Sequence, residues 1–240
     1  MTRQVKEGAE PVVGNANHRA DIDQLVRRSS LLWRGGSRSS VSVPSLDSGY
    51  EALNNLLPTG GWPVQSVIEI VVDEWGSGEL QVLLPLMRQL SQQKSYLALV
   101  SPPYLPYAPA LHNAGIVLNQ LVIIDQQVNA QDRWWSAEKI LRHGDCGLVM
   151  MWPDRPDEHR PNAYNPNTYK WGNHIRRLQV AAEAGNSTAF IFRRGRPVET
   201  PVSMRLKLAY CAEGIRVQVL KSRFSWKQGS VVIPVPESEA

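Results

Sequence analysis

Val67–Leu80 reads VIEIVVDEWGSGEL, and the reading of this stretch decides the fold. Its first six residues form a run rich in Val and Ile, as expected for a strand buried on both faces of a sheet. A turn carrying Gly76 and Gly78 follows, and Gly78–Gln93 then has helical spacing. Further along, Tyr96–Val100 predicts a strand, Leu105–Ala114 a short helix and Leu121–Asp125 a strand. Asp132–His143 predicts a helix, Leu148–Trp152 a strand, Asn173–Ala184 a helix and Ala189–Arg193 a strand. Strands alternating with helical crossovers predict an α/β fold: a mostly parallel twisted sheet flanked by helices, with right-handed connections. Met204–Tyr210 and Ile215–Ser222 add two antiparallel C-terminal strands.

In a doubly wound sheet, phosphate groups sit at the first strand-to-helix turn, on the helix N-terminus. Here that turn occupies the position of a phosphate-binding loop of pattern GxxxxGK[ST]. With Gly78 setting the register, Asp73 replaces the first glycine, Glu79 the lysine and Leu80 the hydroxyl residue, while Gly76 and Gly78 keep the backbone turn. Two like charges 4 Å apart repel by roughly 1 kcal/mol in bulk water and several-fold more near a protein surface. Asp73, Glu74 and Glu79 would therefore oppose a triphosphate. The same segment also reads as an ordinary strand-to-helix turn.

The flanking residues carry a more specific likeness. VPSLDSGYEALNNLLPTGGWPVQSVIEI (43–70) resembles the entry to the ATPase core of RecA-type recombinases, and the likeness runs over roughly residues 42–222. It implies a RecA-like fold with a degenerate nucleotide-binding loop. Pro103 stands where the family has its acidic catalytic residue, and Trp152 where it has the magnesium-organising aspartate. More narrowly, LLWRG, LPTGGWP, GSGELQVLLPLM, SPPYLPYAPAL and RRLQVAAEAG, in that order, resemble the ImuA family, which overlaps in sequence with the SulA cell-division inhibitors. The ImuA likeness implies SOS-induced mutagenic translesion synthesis. Its implied partners are an ImuB-like inactive Y-family polymerase homologue, an error-prone replicative-type polymerase and RecA. The competing expectation is a SulA-like inhibitor acting on the tubulin-like division protein. A second competitor is a cryptic ATPase drawing phosphate contacts from Arg88 or Lys94.

Composition bounds the remaining possibilities. The 240 residues are 42% hydrophobic and 20% charged, as in a globular chain. With no apolar run long enough to span a bilayer and a polar beginning, the expectation is a cytoplasmic protein with no membrane contact. Two cysteines, Cys146 and Cys211, make neither a disulfide framework nor a cysteine zinc site. The five histidines lack metal-site spacing, and neither Ser77 nor Ser101 lies in a GxSxG elbow, so no catalytic residue, metal or cofactor is expected.

The formal net charge is +4, unevenly spread. Residues 1–40 hold seven Lys/Arg against four Asp/Glu, residues 41–152 five against ten, and residues 153–240 fourteen against eight. Basic ends around an acidic middle suit nucleic acid or an acidic partner, or are a solvated surface of uneven composition. If the RecA-like register holds, loop 153–173 and turn 193–201 lie near the two DNA-binding loops of that fold. They offer Arg155, Arg160, Lys170 and Trp171, with Arg176 and Arg177 on the helix after the first, and Arg193, Arg194 and Arg196 on the second. Cations interleaved with rings suit single-stranded DNA.

The chain is accordingly read as a disordered 1–19, an amphipathic helix and Gly/Ser linker over 20–40, a core over 41–222 and a tail over 223–240. Leu31, Leu32 and Trp33 are candidates for docking on RecA, the helix before them reading equally as a cover for the sheet edge. Phe224 and Trp226 are candidates for anchoring another partner, with Phe224 reading also as an ordinary core residue.

Overall fold

The computed structural model describes residues 43–76, 78–125, 127–153, 168–197, 199–225 and 228–234, with 168–170 described by backbone alone. The segments 1–19 and 20–40, the candidates Leu31, Leu32, Trp33, Arg155, Arg160 and Trp226, and the side chain of Lys170 lie outside the described residues.

In chain order the elements are β1 (Ser45–Leu46), α1 (Glu51–Leu56), β2 (Trp62–Pro63), β3 (Val67–Val72), α2 (Leu84–Gln92), β4 (Tyr96–Val100) and α3 (Ala108–Asn113). There follow β5 (Leu121–Ile124), α4 (Ala130–His143), β6 (Cys146–Met151), α5 (Thr168–Ala184), β7 (Thr188–Arg194), β8 (Met204–Cys211), β9 (Gly214–Ser222) and β10 (Gly229–Ile233). Eight strands form one sheet in the order β10-β9-β8-β3-β7-β6-β4-β5. β8 through β5 run parallel, and β9 and β10 join antiparallel. The molecule is thus an α/β protein with a mostly parallel eight-stranded sheet flanked by helices.

All six residues of β3 are buried, because it lies between β7 and β8 with a covered layer on each side. Ile68, Ile70 and Val72 face a core containing Leu53 of α1, Trp62, Leu86 and Met87 of α2, and Leu111 of α3. Trp62 meets Phe190 edge-on at 5.1 Å in this layer. On the other face, Val67, Ala98, Val149 and Ile191 pack under Trp134 and Leu141 of α4 and Ile175 and Leu178 of α5. Helix α4 has an Asn129 side-chain cap on the Asp132 amide and ends at Gly144 with φ +88°, where glycine carries no Cβ penalty. Gln179 fastens α5 to the start of β3, accepting from the Val67 amide at 3.0 Å and donating to the Gln65 carbonyl at 2.8 Å.

Several sequence expectations change, among them the helix expected over Leu105–Ala114, which starts only at Ala108 after an extended Tyr107. The helix expected over 78–93 is a 3-10 turn, Gln81–Leu83, followed by α2, which carries Pro85 in its first turn. Proline lacks an amide hydrogen and fits an α-helix there without losing a bond, so it marks the true start. Helix α5 begins at Thr168, inside the stretch read as an irregular loop to Asn173, because Trp171 packs against the second core. The segment 223–240 holds a strand, β10, paired along β9 from Gly229↔Val219 to Ile233↔Ile215. Among the described residues no helix is long and apolar enough to cross a membrane.

Candidate functional site at the carboxyl edge of the sheet

The turns after β3, β4, β6 and β7 meet at one edge. Gly195 after β7 donates its amide to the Val72 carbonyl at 3.0 Å, and the Trp152 amide donates to Val100 at 3.0 Å. The three places the sequence singled out, the 73–80 turn, Pro103 and Trp152, therefore all follow carboxyl ends of this parallel sheet, where open α/β sheets bind ligands.

The 73–80 turn is closed from within. Gly76 and Gly78 have φ of +77° and +87°, a backbone other residues adopt at a cost. The Gly76 amide donates to Glu79 Oε1 at 3.1 Å. Glu79 is 5% exposed, and among the described residues its Oε2 has no hydrogen-bond partner. A Cβ on Gly78 would sit 2.6 Å from Ile215 Cδ1, so the turn is pressed against β9. Leu80 packs against the first core. Asp73 pairs with Lys207 at 3.0 Å and Glu74 with Arg194 at 3.6 Å. A carboxylate of the chain thus rests on a backbone amide of this turn. The 3-10 start and Pro85 further reduce the amides such a turn can present.

The other two positions hold no titratable group. Pro103 is buried after β4, where Ser101, at φ +55°, donates its amide to Ile124 at 2.8 Å. The Trp152 indole is buried and stacked on Phe192 at 4.5 Å and 8°. Arg133, which the sequence reading passed over, is buried beside this edge and donates from Nη1 to the Pro153 carbonyl at 2.9 Å. Among the described residues no group of three or more His, Cys, Asp or Glu side chains is placed to hold a metal ion.

No family model matches the chain. Curated relatives do. The chain is similar to the SulA proteins. It is 29% identical over 133 residues to the cell division inhibitor SulA of Serratia proteamaculans, covering 55% of this chain and 70% of the relative. The proteins of the same name from Yersinia pestis and Yersinia pseudotuberculosis are 28% identical over 128 residues, covering 53% of this chain and 67% of theirs.

The basic candidates divide into outward and inward groups. Arg196 is exposed, and Arg176 is exposed with a bond to Asn173 Oδ1 at 3.2 Å. Arg177 pairs with Glu138 at 2.5 Å, and Glu138 also takes Arg142 at 3.4 Å. Arg194 is largely covered and engaged with Glu74. Arg193, expected on a DNA-facing turn, is turned inward: its Nη1 lies 3.1 Å from Glu69 Oε1, and its guanidinium lies 4.4 Å from the Trp171 ring. Trp171 in turn meets Trp134 edge-on at 5.4 Å, so this ring is part of the packing between α4, α5 and β7. Phe224, proposed as a partner anchor, packs against the first core, with the Arg223 guanidinium 4.9 Å from its ring.

Sequence reasoning missed the centre of this arrangement. Glu69 is 1% exposed in the middle of VIEIVV. Its Oε2 accepts from Arg205 Nε and from Thr200 Oγ1, the latter at 3.2 Å, and Arg205 Nη2 donates to Thr200 at 2.6 Å. One carboxylate thus joins β3, β7, β8 and the 195–203 connection. The signal available in the sequence was a single acid inside an apolar strand, which requires charged partners once buried.

Proposed function

We propose that this protein is a non-catalytic factor of the SOS response with a RecA-like core and a degenerate nucleotide-binding turn, which assists mutagenic translesion synthesis through protein contacts. The observation that carries the non-catalytic part of this reading is the Glu79 carboxylate on the Gly76 amide, an internal anion at the turn where such a core would take a nucleotide phosphate. The translesion part rests on the resemblance of SPPYLPYAPAL and its companion stretches to the ImuA family. Asp73 and Glu74, and the apolar Pro103 and Trp152, support the same conclusion: the edge has the layout of a ligand site without its chemistry. Its partners are then proteins, with RecA, an ImuB-like polymerase homologue and an error-prone polymerase as the proposed set. Single-stranded DNA is a further proposed partner, reached through Arg176 and Arg196 together with Arg155, Arg160 and Lys170.

The likeness to SulA-named proteins favours a second reading, inhibition of cell division through a division protein. The two readings separate in cells. Deleting the gene is expected to lower ultraviolet-induced mutation frequency if the first holds. Expressing it in undamaged cells is expected to produce filaments if the second holds. A deletion and an overexpression that change neither would overturn both.

A further inference from the structure

Three exposed large hydrophobic side chains fall within the four residues Tyr104–Leu105–Pro106–Tyr107, directly after buried Ser101, Pro102 and Pro103. Tyr104 is 64% exposed, Leu105 81% and Tyr107 73%. Hydrophobic side chains this open, adjacent in sequence and at the carboxyl edge, are uncommon on a chain that works alone. The base of the segment is held. Ser101 is bonded through its amide to Ile124 and through its hydroxyl to the Asp125 carbonyl at 3.3 Å, and Pro102 and Pro103 are buried beside it. Proline fixes φ, so Pro102, Pro103, Pro106 and Pro109 limit the conformations that the ridge must give up on binding. The segment is neither helix nor strand until α3, where Pro109 lies in the first turn.

The ridge also has an acidic neighbour. The Tyr104 Cε2 atom lies 3.9 Å from where a Cβ on Gly76 would be, and Gly76 is the residue that Glu79 bonds. On this turn Asp73 and Glu74 keep 64% and 75% of their side chains exposed while paired with Lys207 and Arg194, and Glu79 is buried.

We infer that Tyr104, Leu105 and Tyr107 form a docking ridge for a protein partner that has an aromatic-lined groove for an extended proline-stiffened segment and basic residues on the groove's rim. Grooves of that kind take proline-rich segments at low entropic cost, and exposed tyrosine and leucine supply the apolar anchors. The acidic turn beside Tyr104 favours a basic rim by charge complementarity and disfavours an acidic one. This inference rests on the proposed function in one respect only, that the protein acts by binding other proteins.

The test uses the full chain in its own host. The photo-crosslinking residue p-benzoylphenylalanine is placed at position 105 and, as a control, at position 210, where Tyr210 is 67% exposed on β8. A discrete adduct is expected at 105 and not at 210. The synthetic peptide SPPYLPYAPA, copying residues 101–110, is expected to suppress that adduct in permeabilised cells, and a scrambled peptide to leave it. The combined variant Tyr104→Ser, Leu105→Ser, Tyr107→Ser is expected to keep the wild-type melting temperature and to lose about tenfold or more of the cellular effect, with Tyr210→Ser retaining it. No adduct at 105, an adduct that the copied peptide does not suppress, or a folded triple variant with full effect overturns the ridge. If deleting the gene leaves mutation frequency unchanged and expressing it in undamaged cells leaves cell length unchanged, the proposed function fails, and the adduct and its suppression judge the ridge alone.

Discussion

Glu79 accepts a hydrogen bond from the amide of Gly76 at 3.1 Å, so the turn after the central strand is filled by the chain's own carboxylate. On the proposed reading, the negative charge that a phosphate-binding turn draws from its ligand is supplied here from three residues away in sequence. Nucleotide would have to displace a buried acid and then face two more.

Magnesium ATP is accordingly expected to leave the melting temperature unchanged, because a ligand that does not bind the native state cannot stabilise it. Glu79→Lys restores the lysine of the motif in name only. It places an ammonium in a buried site and removes the acceptor of Gly76, and is expected to cost about 2–4 kcal/mol of stability. Thermal melts of both proteins with and without nucleotide check this; a nucleotide-dependent rise in either would overturn the closed-turn account.

Glu69→Ala is expected to destabilise the fold by about 3–5 kcal/mol, since it leaves the Arg193 and Arg205 guanidinium groups in a covered site without their carboxylate. Urea unfolding measures the loss. An effect below about 1 kcal/mol would show that water reaches the site and screens it.

The Cys146 thiol is 4% exposed and pushed up to about 11 by burial, which outweighs its bonds to nearby backbone. A thiol whose folded pKa is raised adds stability that is complete below the unfolded value near 9.0 and is lost as pH rises toward about 11. Comparing wild type with Cys146→Ala, the difference in unfolding free energy is expected to shrink by about 2–3 kcal/mol across that interval. A pH-independent difference would contradict it. Cys211, only partly covered, is expected to react first with an aromatic disulfide reagent.

If the chain binds single-stranded DNA, Arg176→Glu and Arg196→Glu are expected to weaken binding and to lower the salt slope by about one for each arginine lost. Arg193→Ala is expected to act differently, lowering stability first, because its charge is engaged by Glu69. Fluorescence anisotropy across a salt series, beside a melt of each variant, separates the two effects. Equal affinity loss for Arg193→Ala at unchanged stability would return Arg193 to the surface.

Much of the architecture was legible in the sequence. β3 and β4 have the bounds their apolar runs predict, and β8 and β9 pair antiparallel as expected, because periodicity reports which faces of a segment are covered. The short pieces escaped. β1, β2 and α1 are too brief for a period to register, and β10, Gly-Ser-Val-Val-Ile, has no alternation to announce a strand that only its pairing with β9 explains. In the site, Asp73, Glu79, Pro103 and Trp152 were found by position against a known loop, whereas Glu69 and Arg133 were missed because each sits inside a segment that reads as plain strand or helix.

By itself the sequence determined the alternation of strands and helices, the absence of phosphate-binding side chains after β3, and the excess of acid around that turn. These are local properties, carried by residues within a few positions of one another. Only the tertiary structure decided which charges remain available. Glu69 meets Arg193 across 124 residues and Arg205 across 136, through the side-by-side register of β3, β7 and β8. It also decided that Tyr104, Leu105 and Tyr107 stand in solvent, with Tyr104 beside Gly76. Whether a charge or a ring is spent inside the molecule or offered outside depends on strand register and on what lies above each strand, and neither is encoded in the spacing of residues along one segment.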